Sequence, residues 1–312
     1  MTAAAGRKTL FVVNPRSAGG KTRKVWPAME KIAAQHVRDF ETKLTEGPNH
    51  ATELARAGLR AGAERIVSVG GDGTNNEVVN GFFENGNLVK PGAAFGTVPR
   101  GTGCDFARGR GIPRDPAGAF ARLAGTTTTP LDVGRIDYTT ETGGRGVRYF
   151  VNIAGFGANG DVVNRVNRSG KKLGGFLSFL TATVGSLATY VNPKVTFSVD
   201  GGPEESAIIN SVLVCNGQYC GGGMKAGPDA KVDDGAFDIT LIGNMTRIEA
   251  LFSGRLLYNG KILTHPKVRH YRVKTITARA ADGDIVLVEA DGEQPGILPA
   301  TYTIVPGALR LT

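Results

Sequence analysis

The stretch Ile66-Val67-Ser68-Val69-Gly70-Gly71-Asp72-Gly73-Thr74-Asn75-Asn76-Glu77 carries more structural information than any other part of this chain. Residues 66–69 are an apolar run short enough for a buried strand, and helical periodicity resumes over residues 74–84. Between them three glycines surround one acid. Two of the glycines let the backbone approach a polyphosphate, and Gly73 can take a conformation closed to other residues. The N–H groups that open the helix face an anion, helped by the helix dipole. Bare phosphate would repel Asp72, so the acid implies a cation at the same place. Mg2+ carried with a nucleotide meets that need.

Outward from this loop the first 133 residues alternate strand and helix. Strands are expected over 9–13, 37–44, 66–69 and 93–98, and helices over 21–36, 49–61 and 74–84. That order predicts an α/β domain with a parallel sheet covered on both faces. Beyond residue 133 strand-like runs dominate, at 147–153, 194–200, 207–215, 236–242, 268–279, 284–290 and 301–306. Helices are expected only around 161–190 and 246–258. The chain therefore reads as two domains, 1–133 and a β-rich 134–300, with a linker near 131–137 and the last residues, about 300–312, packing back on the first domain. Ligands of open α/β sheets bind beyond the carboxyl ends of the strands.

Two further loops fall at strand ends. Asn14-Pro15-Arg16-Ser17-Ala18-Gly19-Gly20-Lys21-Thr22 ends like a P-loop but has Pro15 where the first glycine belongs, so a true P-loop is excluded. A small polar loop before a helix can still bind phosphate through its N–H groups. In Pro99-Arg100-Gly101-Thr102-Gly103-Cys104-Asp105-Phe106-Ala107-Arg108, Thr102 can donate to phosphate or adenine, and Asp105 can cap a helix or help hold a metal. Gly155-Phe156-Gly157-Ala158-Asn159-Gly160 spells GxGxxG, but no acid occurs between Val162 and Val199, so a dinucleotide site is not expected there.

Composition adds limits. The chain has 312 residues, 41% of them hydrophobic, 45 glycines and a net charge of +9. A basic balance suits anionic membranes or nucleotides. Nucleic acid has only the charge in its favour, because no RNA-binding motif appears. Cys104, Cys215 and Cys220 form no CxxC pair, which fits a reducing, cytoplasmic compartment. The four histidines give no zinc spacing. No signal peptide is read at the N-terminus. Residues 173–191 lack charge but hold too many glycines, serines and threonines for a membrane span.

With these loops in view the chain resembles the diacylglycerol kinase catalytic family, and more narrowly the soluble bacterial lipid kinases related to sphingosine and ceramide kinases. The resemblance runs through GGDGTNNEV at 70–78, GTGCDFAR at 101–108, LDVG at 131–134, GGGM at 221–224, DDGAFD at 233–238, DGE at 291–293 and PGAL at 306–309. Where the family usually has Asn before the DFAR aspartate, this chain has Cys104. The resemblance implies a phosphofructokinase-like nucleotide-binding domain and a C-terminal β-sandwich with a few helices, with the active site in the cleft between them.

It also implies ATP as phosphoryl donor with Mg2+. Nucleotide contacts are expected at Asn14, Thr45, Gly70, Gly71, Asp72, Gly73, Thr74, Asn75, Asn76, Glu77, Thr102 and Asp105. Asp72 and Asp132 would handle Mg2+ and charge. A second, structural Mg2+ or Ca2+ would sit on Lys231, Asp234 and Ala236, through the aspartate side chain and two backbone carbonyls. Asp291 and Glu293 are the candidate bases for the acceptor hydroxyl, Glu293 first. The implied acceptor is a lipid alcohol, diacylglycerol first, with sphingoid base, ceramide or phosphatidylglycerol as alternatives.

Arg165, Arg168, Lys171, Lys172 and Lys194 around the uncharged stretch 173–191 suggest peripheral docking on an anionic membrane. A homodimer is an open option. The rival readings are an NAD-kinase-like metabolite kinase, which leaves DFAR unexplained, and a nucleotide-sensing lipid-binding module, which leaves the acids Asp72, Asp291 and Glu293 unexplained.

Overall fold

The structure is a computed structural model that describes residues 7–168, 185–186, 189–281 and 283–312. The chain divides into two compact units, Met1–Leu131 with Gly307–Thr312, and Asp132–Pro306.

In the first unit, strands β1 (Thr9–Val13), β2 (Phe40–Leu44), β3 (Arg65–Gly70) and β4 (Ala94–Pro99) pair in parallel in the order β2-β1-β3-β4. Arg310 and Leu311 extend this sheet by pairing in parallel with Ala94 and Phe95. Every residue of β1, β3 and β4 is buried, as expected of parallel strands covered on both faces. The helices are α1 (Lys21–His36), α2 (His50–Arg60), α3 (Asp72–Gly81), the short α4 (Asp105–Gly109) and α5 (Pro116–Leu123). On one face Phe11 meets Trp26 at 5.9 Å and Phe120 at 5.7 Å between ring centroids. Elsewhere in the unit Phe95 meets Phe82 at 6.4 Å and Phe106 at 5.9 Å. Each such ring, fully buried, contributes roughly 1.5–3 kcal/mol. This core fixes the strand ends, and with them the loops that follow each strand.

The second unit is built from antiparallel strands. They are β5 (Thr129–Thr139), β6 (Arg145–Phe150), β7 (Ile153–Gly157), β8 (Lys194–Val199), β9 (Glu205–Cys215), β10 (Phe237–Gly243), β11 (Val268–Val273), β12 (Thr275–Ala280), β13 (Leu287–Ala290) and β14 (Glu293–Leu311). Among the described residues the helices α6 (Ala158–Arg168) and α7 (Arg247–Tyr258) lie between them. Strand β9 changes partner along its length: residues 205–208 pair with β8, and 211–215 pair with β7 on one side and β10 on the other. Pairings β8–β12, β12–β14, β14–β13 and β13–β7 then close the circuit. Phe150, Phe237 and Tyr302 fill the interior, with Phe150 and Phe237 stacked at 5.5 Å.

Several segments differ from the sequence expectation: 147–153 holds the end of β6 and the start of β7, and the helix expected over 74–84 runs over Asp72–Gly81. The units divide at Leu131 and Asp132, within the expected 131–137, but the segment there is part of β5, with Leu131, Val133 and Ile136 buried. The last strand starts at Glu293, well before residue 301. Residues 268–279 form two strands, separated at Lys274. The basic cluster and uncharged stretch fall largely elsewhere: Lys171, Lys172, the side chain of Arg168 and most of 173–191 lie outside the described residues. Among the described residues no helix is long and apolar enough to cross a membrane.

Candidate active site

In the first unit the three sequence-predicted loops follow the carboxyl ends of adjacent strands and are tied to one another. The Arg100 N–H donates to the Gly70 carbonyl at 2.6 Å. Gly71 and Gly101 pack backbone to backbone; a Cβ on Gly101 would lie 2.7 Å from the Gly71 Cα. The Asn14 amide donates to the Thr74 hydroxyl at 3.0 Å, joining the first loop to the second. In that first loop Ser17 and Thr22 share a hydroxyl–hydroxyl bond of 2.7 Å around the turn at Gly19 and Gly20.

Asp72 opens α3, yet its carboxylate serves another helix. Its two oxygens accept the N–H groups of Asp105 and Phe106, each at 3.1 Å, and so cap α4. The charge of Asp72 is thus partly met by backbone dipoles as well as by any cation. Cys104, just before α4, has φ +51°. That left-handed conformation explains why an Asn is at home here, since Asn tolerates it better than most residues. Burial raises the Cys104 thiol to about 11, so it stays protonated at neutral pH. Asp105 is buried and paired with Arg108. Thr102 is exposed and open to a ligand, and Arg114 donates to the carbonyls of Gly101 and Thr102.

Other members of the expected nucleotide set face into the domain. Asn75 accepts from the Thr97 hydroxyl at 2.8 Å, and Asn76 is fully buried. The Glu77 carboxylate accepts the Ala51 N–H at 3.1 Å, supplying the cap that the start of α2 otherwise lacks. Thr45 follows β2 and gives its N–H to the Val13 carbonyl. The structure therefore gathers Asn14, Gly70, Gly71, Asp72, Gly73, Thr74, Thr102 and Asp105 around the joined loops, and uses Asn75 and Glu77 to brace α3 against its neighbours.

In the second unit Asp291 and Gly292 are the two central residues of a tight hairpin between β13 and β14. Both have positive φ, +49° and +85°, and Ala290 pairs with Glu293 across the turn. Asp-Gly suits such a turn for conformational reasons alone. The Asp291 carboxylate also accepts three backbone N–H groups, from Val151 at 2.9 Å, Asn152 at 3.0 Å and Ile153 at 3.1 Å. The Asp291 N–H returns a bond to the Ile153 carbonyl. Glu293 is the first residue of β14 and half-buried, and its carboxylate has no hydrogen-bond or ion-pair partner among the described residues.

Sequence reading missed Glu289. It is buried, accepts the Gly292 N–H at 3.1 Å, and is raised to about 8, mainly by burial and then by the nearby carboxylates. Its signal was an acid inside the apolar run Val286-Leu287-Val288-Glu289-Ala290. Asn152 and Asn216 were missed too. The Asn216 amide, fully buried, donates to the carbonyls of Asp132 and Val151, and Asn152 donates to Tyr219.

Asp132 is buried and accepts the Gly235 N–H at 2.7 Å, so it holds the 232–235 loop. Asp234 on that loop is bonded to Arg272 at 2.7 Å, and Arg272 also lies 3.9 Å from Asp238. Lys231 is exposed.

The comparisons with known proteins follow the same division. Residues 8–136 match the diacylglycerol kinase catalytic domain, and residues 152–312 match the YegS C-terminal NAD kinase beta sandwich-like domain. The chain belongs to the family of diacylglycerol kinases and YegS-like lipid kinases. A diacylglycerol kinase of Staphylococcus carnosus is 26% identical over 298 residues, 95% of this chain and 92% of the relative. A Pseudomonas aeruginosa protein named for YegS-like lipid kinases is 28% identical over 304 residues, 97% and 93% of the two chains. A crystal structure from Bacillus anthracis str. Sterne, assigned to a diacylglycerol kinase, shares the fold with a TM-score of 0.77 at 24% identity, covering 99% of this chain and 98% of that one. As a member of this family the protein is an ATP-dependent lipid kinase, a phosphotransferase with an alcohol acceptor.

The joined glycine loops suit this family's nucleotide. The Nε of Arg100 is buried without a partner among the described residues, an unspent donor beside Gly70 and Gly101. Mg2+ is commonly held by one or two carboxylates together with substrate phosphates, and Asp72 offers oxygens of that kind. The structural ion fits less well, because the Asp234 carboxylate is already balanced by the Arg272 guanidinium. The GxGxxG run serves packing: a Cβ on Gly155 would collide with the Val212 carbonyl of the adjacent strand.

Proposed function

We propose that this lipid kinase phosphorylates diacylglycerol to phosphatidic acid, with Glu293 as the base that serves the acceptor hydroxyl. The observation that supports this reading is the unequal state of the two DGE carboxylates. Asp291 is saturated by three backbone N–H groups, and a carboxylate so bonded is a poor proton acceptor. Glu293, next to the fixed turn, has no such bonds among the described residues.

In this scheme Asn14, Thr74, Thr102 and the backbone of Gly70, Gly71 and Gly73 bind the nucleotide. Arg100 contributes charge. The acceptor oxygen attacks the γ-phosphorus, Glu293 takes the hydroxyl proton, and ADP leaves with the bond to its β-phosphate oxygen broken. Bound Mg2+ would be held by Asp72 and would neutralise charge on the phosphates. Asp291 and Glu289 position the turn that carries Glu293. Asp132 and the 231–236 loop, with Asp234 and Ala236, act as scaffold. The protein works in the cytoplasm and meets its acceptor at the membrane surface.

The test is a panel of acceptors with ATP, Mg2+ and detergent micelles. Diacylglycerol should be labelled fastest, ahead of sphingosine, ceramide and phosphatidylglycerol. Preferred labelling of any of these, or of NAD, would replace this reading.

A further inference from the structure

Helix α7 is capped, amphipathic and unusually apolar on its outer side. Thr246 and Glu249 form a reciprocal cap at its start. Its inner side is Ala250, Ser253 and Leu257, of which Ala250 and Leu257 pack against the cluster of Ile153, Leu213 and Met245. These positions are three and four apart, one face of a helix. The outer side carries Ile248, Leu251, Phe252 and Tyr258 at 69%, 58%, 66% and 51% exposure. A cluster of large apolar side chains left in water on one face marks an interaction site.

Charge selects the partner. Arg247 and Arg255 are exposed on the same side and have no ion-pair partner among the described residues. The helix's one acid, Glu249, is bound to Lys267 at 2.7 Å and to the Thr246 N–H, which draws it down to about 2. The outer face is therefore apolar and cationic, with no free carboxylate. Val191, 79% exposed, lies beside it, because the neighbouring Asn192 amide donates to Met245 and Asn244 just before the helix.

We propose that the outer face of α7 docks on an anionic lipid bilayer. An amphipathic helix with arginines beside its apolar side lies in the headgroup region in this way, the apolar side chains entering and the guanidinium groups meeting phosphate. A second copy of the chain is a poorer occupant. A two-fold interface sets the same patch against itself, which would bring Arg247 and Arg255 together with no acid to offset them. The docking rests on the lipid-kinase assignment for its purpose, but not for its physics. It places the contact on an element distinct from the basic cluster at 165–194.

The experiment is co-sedimentation of the intact protein with vesicles of phosphatidylglycerol and phosphatidylcholine, without nucleotide. The L251S/F252S double variant should bind at least about tenfold more weakly, since both side chains lose their transfer into lipid. R255E should lose about tenfold at low salt and much less at high salt. Both substitutions fall on exposed positions, so circular dichroism and activity on a short-chain, monomeric diacylglycerol should match wild type. Equal vesicle binding by L251S/F252S would overturn the proposal. So would a wild-type dimer in sedimentation velocity that the double variant converts to monomer. A wrong acceptor would show in the micelle panel alone and leave the vesicle result standing.

Discussion

Replacing Asp291 separates positioning from catalysis at the DGE turn. In Asp291→Ala the N–H groups of Val151, Asn152 and Ile153 lose their acceptor within buried surroundings. A stranded buried donor costs about 1–3 kcal/mol, so the three together should cost about 3–6 kcal/mol after partial relaxation. Against a total stability of roughly 5–15 kcal/mol this is severe. Asp291→Asn is the sharper probe. Asn accepts the left-handed φ of +49°, so the turn itself is kept. Its carbonyl oxygen retains acceptor capacity but its NH2 faces a donor, for a loss of about 1–3 kcal/mol. Glu293→Gln should change stability by less than about 0.5 kcal/mol, as at most surface positions, while lowering kcat by about 10²–10⁴. Urea unfolding and initial rates at saturating ATP measure both quantities. An Asp291→Asn variant with wild-type unfolding and collapsed kcat would refute the division of labour, and so would a fully active Glu293→Gln.

Three other outcomes follow from the same contacts. Gly101→Ala pushes a Cβ against the Gly71 backbone and should weaken ATP binding by roughly 1–3 kcal/mol in calorimetry, with the fold retained. Glu289 is raised to about 8 by burial, above its unfolded value near 4.5, so the folded state holds the extra proton. Its stabilising contribution is complete below pH 4.5 and is lost as pH rises through 8; Glu289→Gln should flatten that fall in melting temperature. Because Arg272 already balances Asp234, chelator should leave the wild-type melting temperature unchanged, whereas Arg272→Ala should gain a Mg2+- or Ca2+-dependent rise.

The α/β half was legible because its strands are fully buried and its glycine loops fall at their ends. The loops after β3 and β4 were found near residues 70 and 100, although α3 opens already at Asp72, so Gly73 is helical and does not take the special conformation expected of it. The sequence did not show that Asp72 caps α4, because that bond joins residues more than thirty apart. Likewise DGE could be recognised as a turn with two acids. Which acid was spent depended on N–H groups about 140 residues earlier. The junction expected at 131–137 coincides with the division of the units at Leu131 and Asp132, but the sequence did not show that one continuous strand, β5, runs through it. The outer face of α7 escaped notice because its apolar residues look like ordinary core at helical spacing. Only their exposure distinguishes them.

The most direct test of Glu293 as the base is transfer of labelled γ-phosphate from ATP to diacylglycerol in mixed micelles by wild type and Glu293→Gln side by side. Wild type should yield labelled phosphatidic acid, and a folded Glu293→Gln at least a hundredfold less, or about 10⁻² of the rate. Labelling of another acceptor in preference to diacylglycerol, or equal rates from the two proteins, would contradict this expectation.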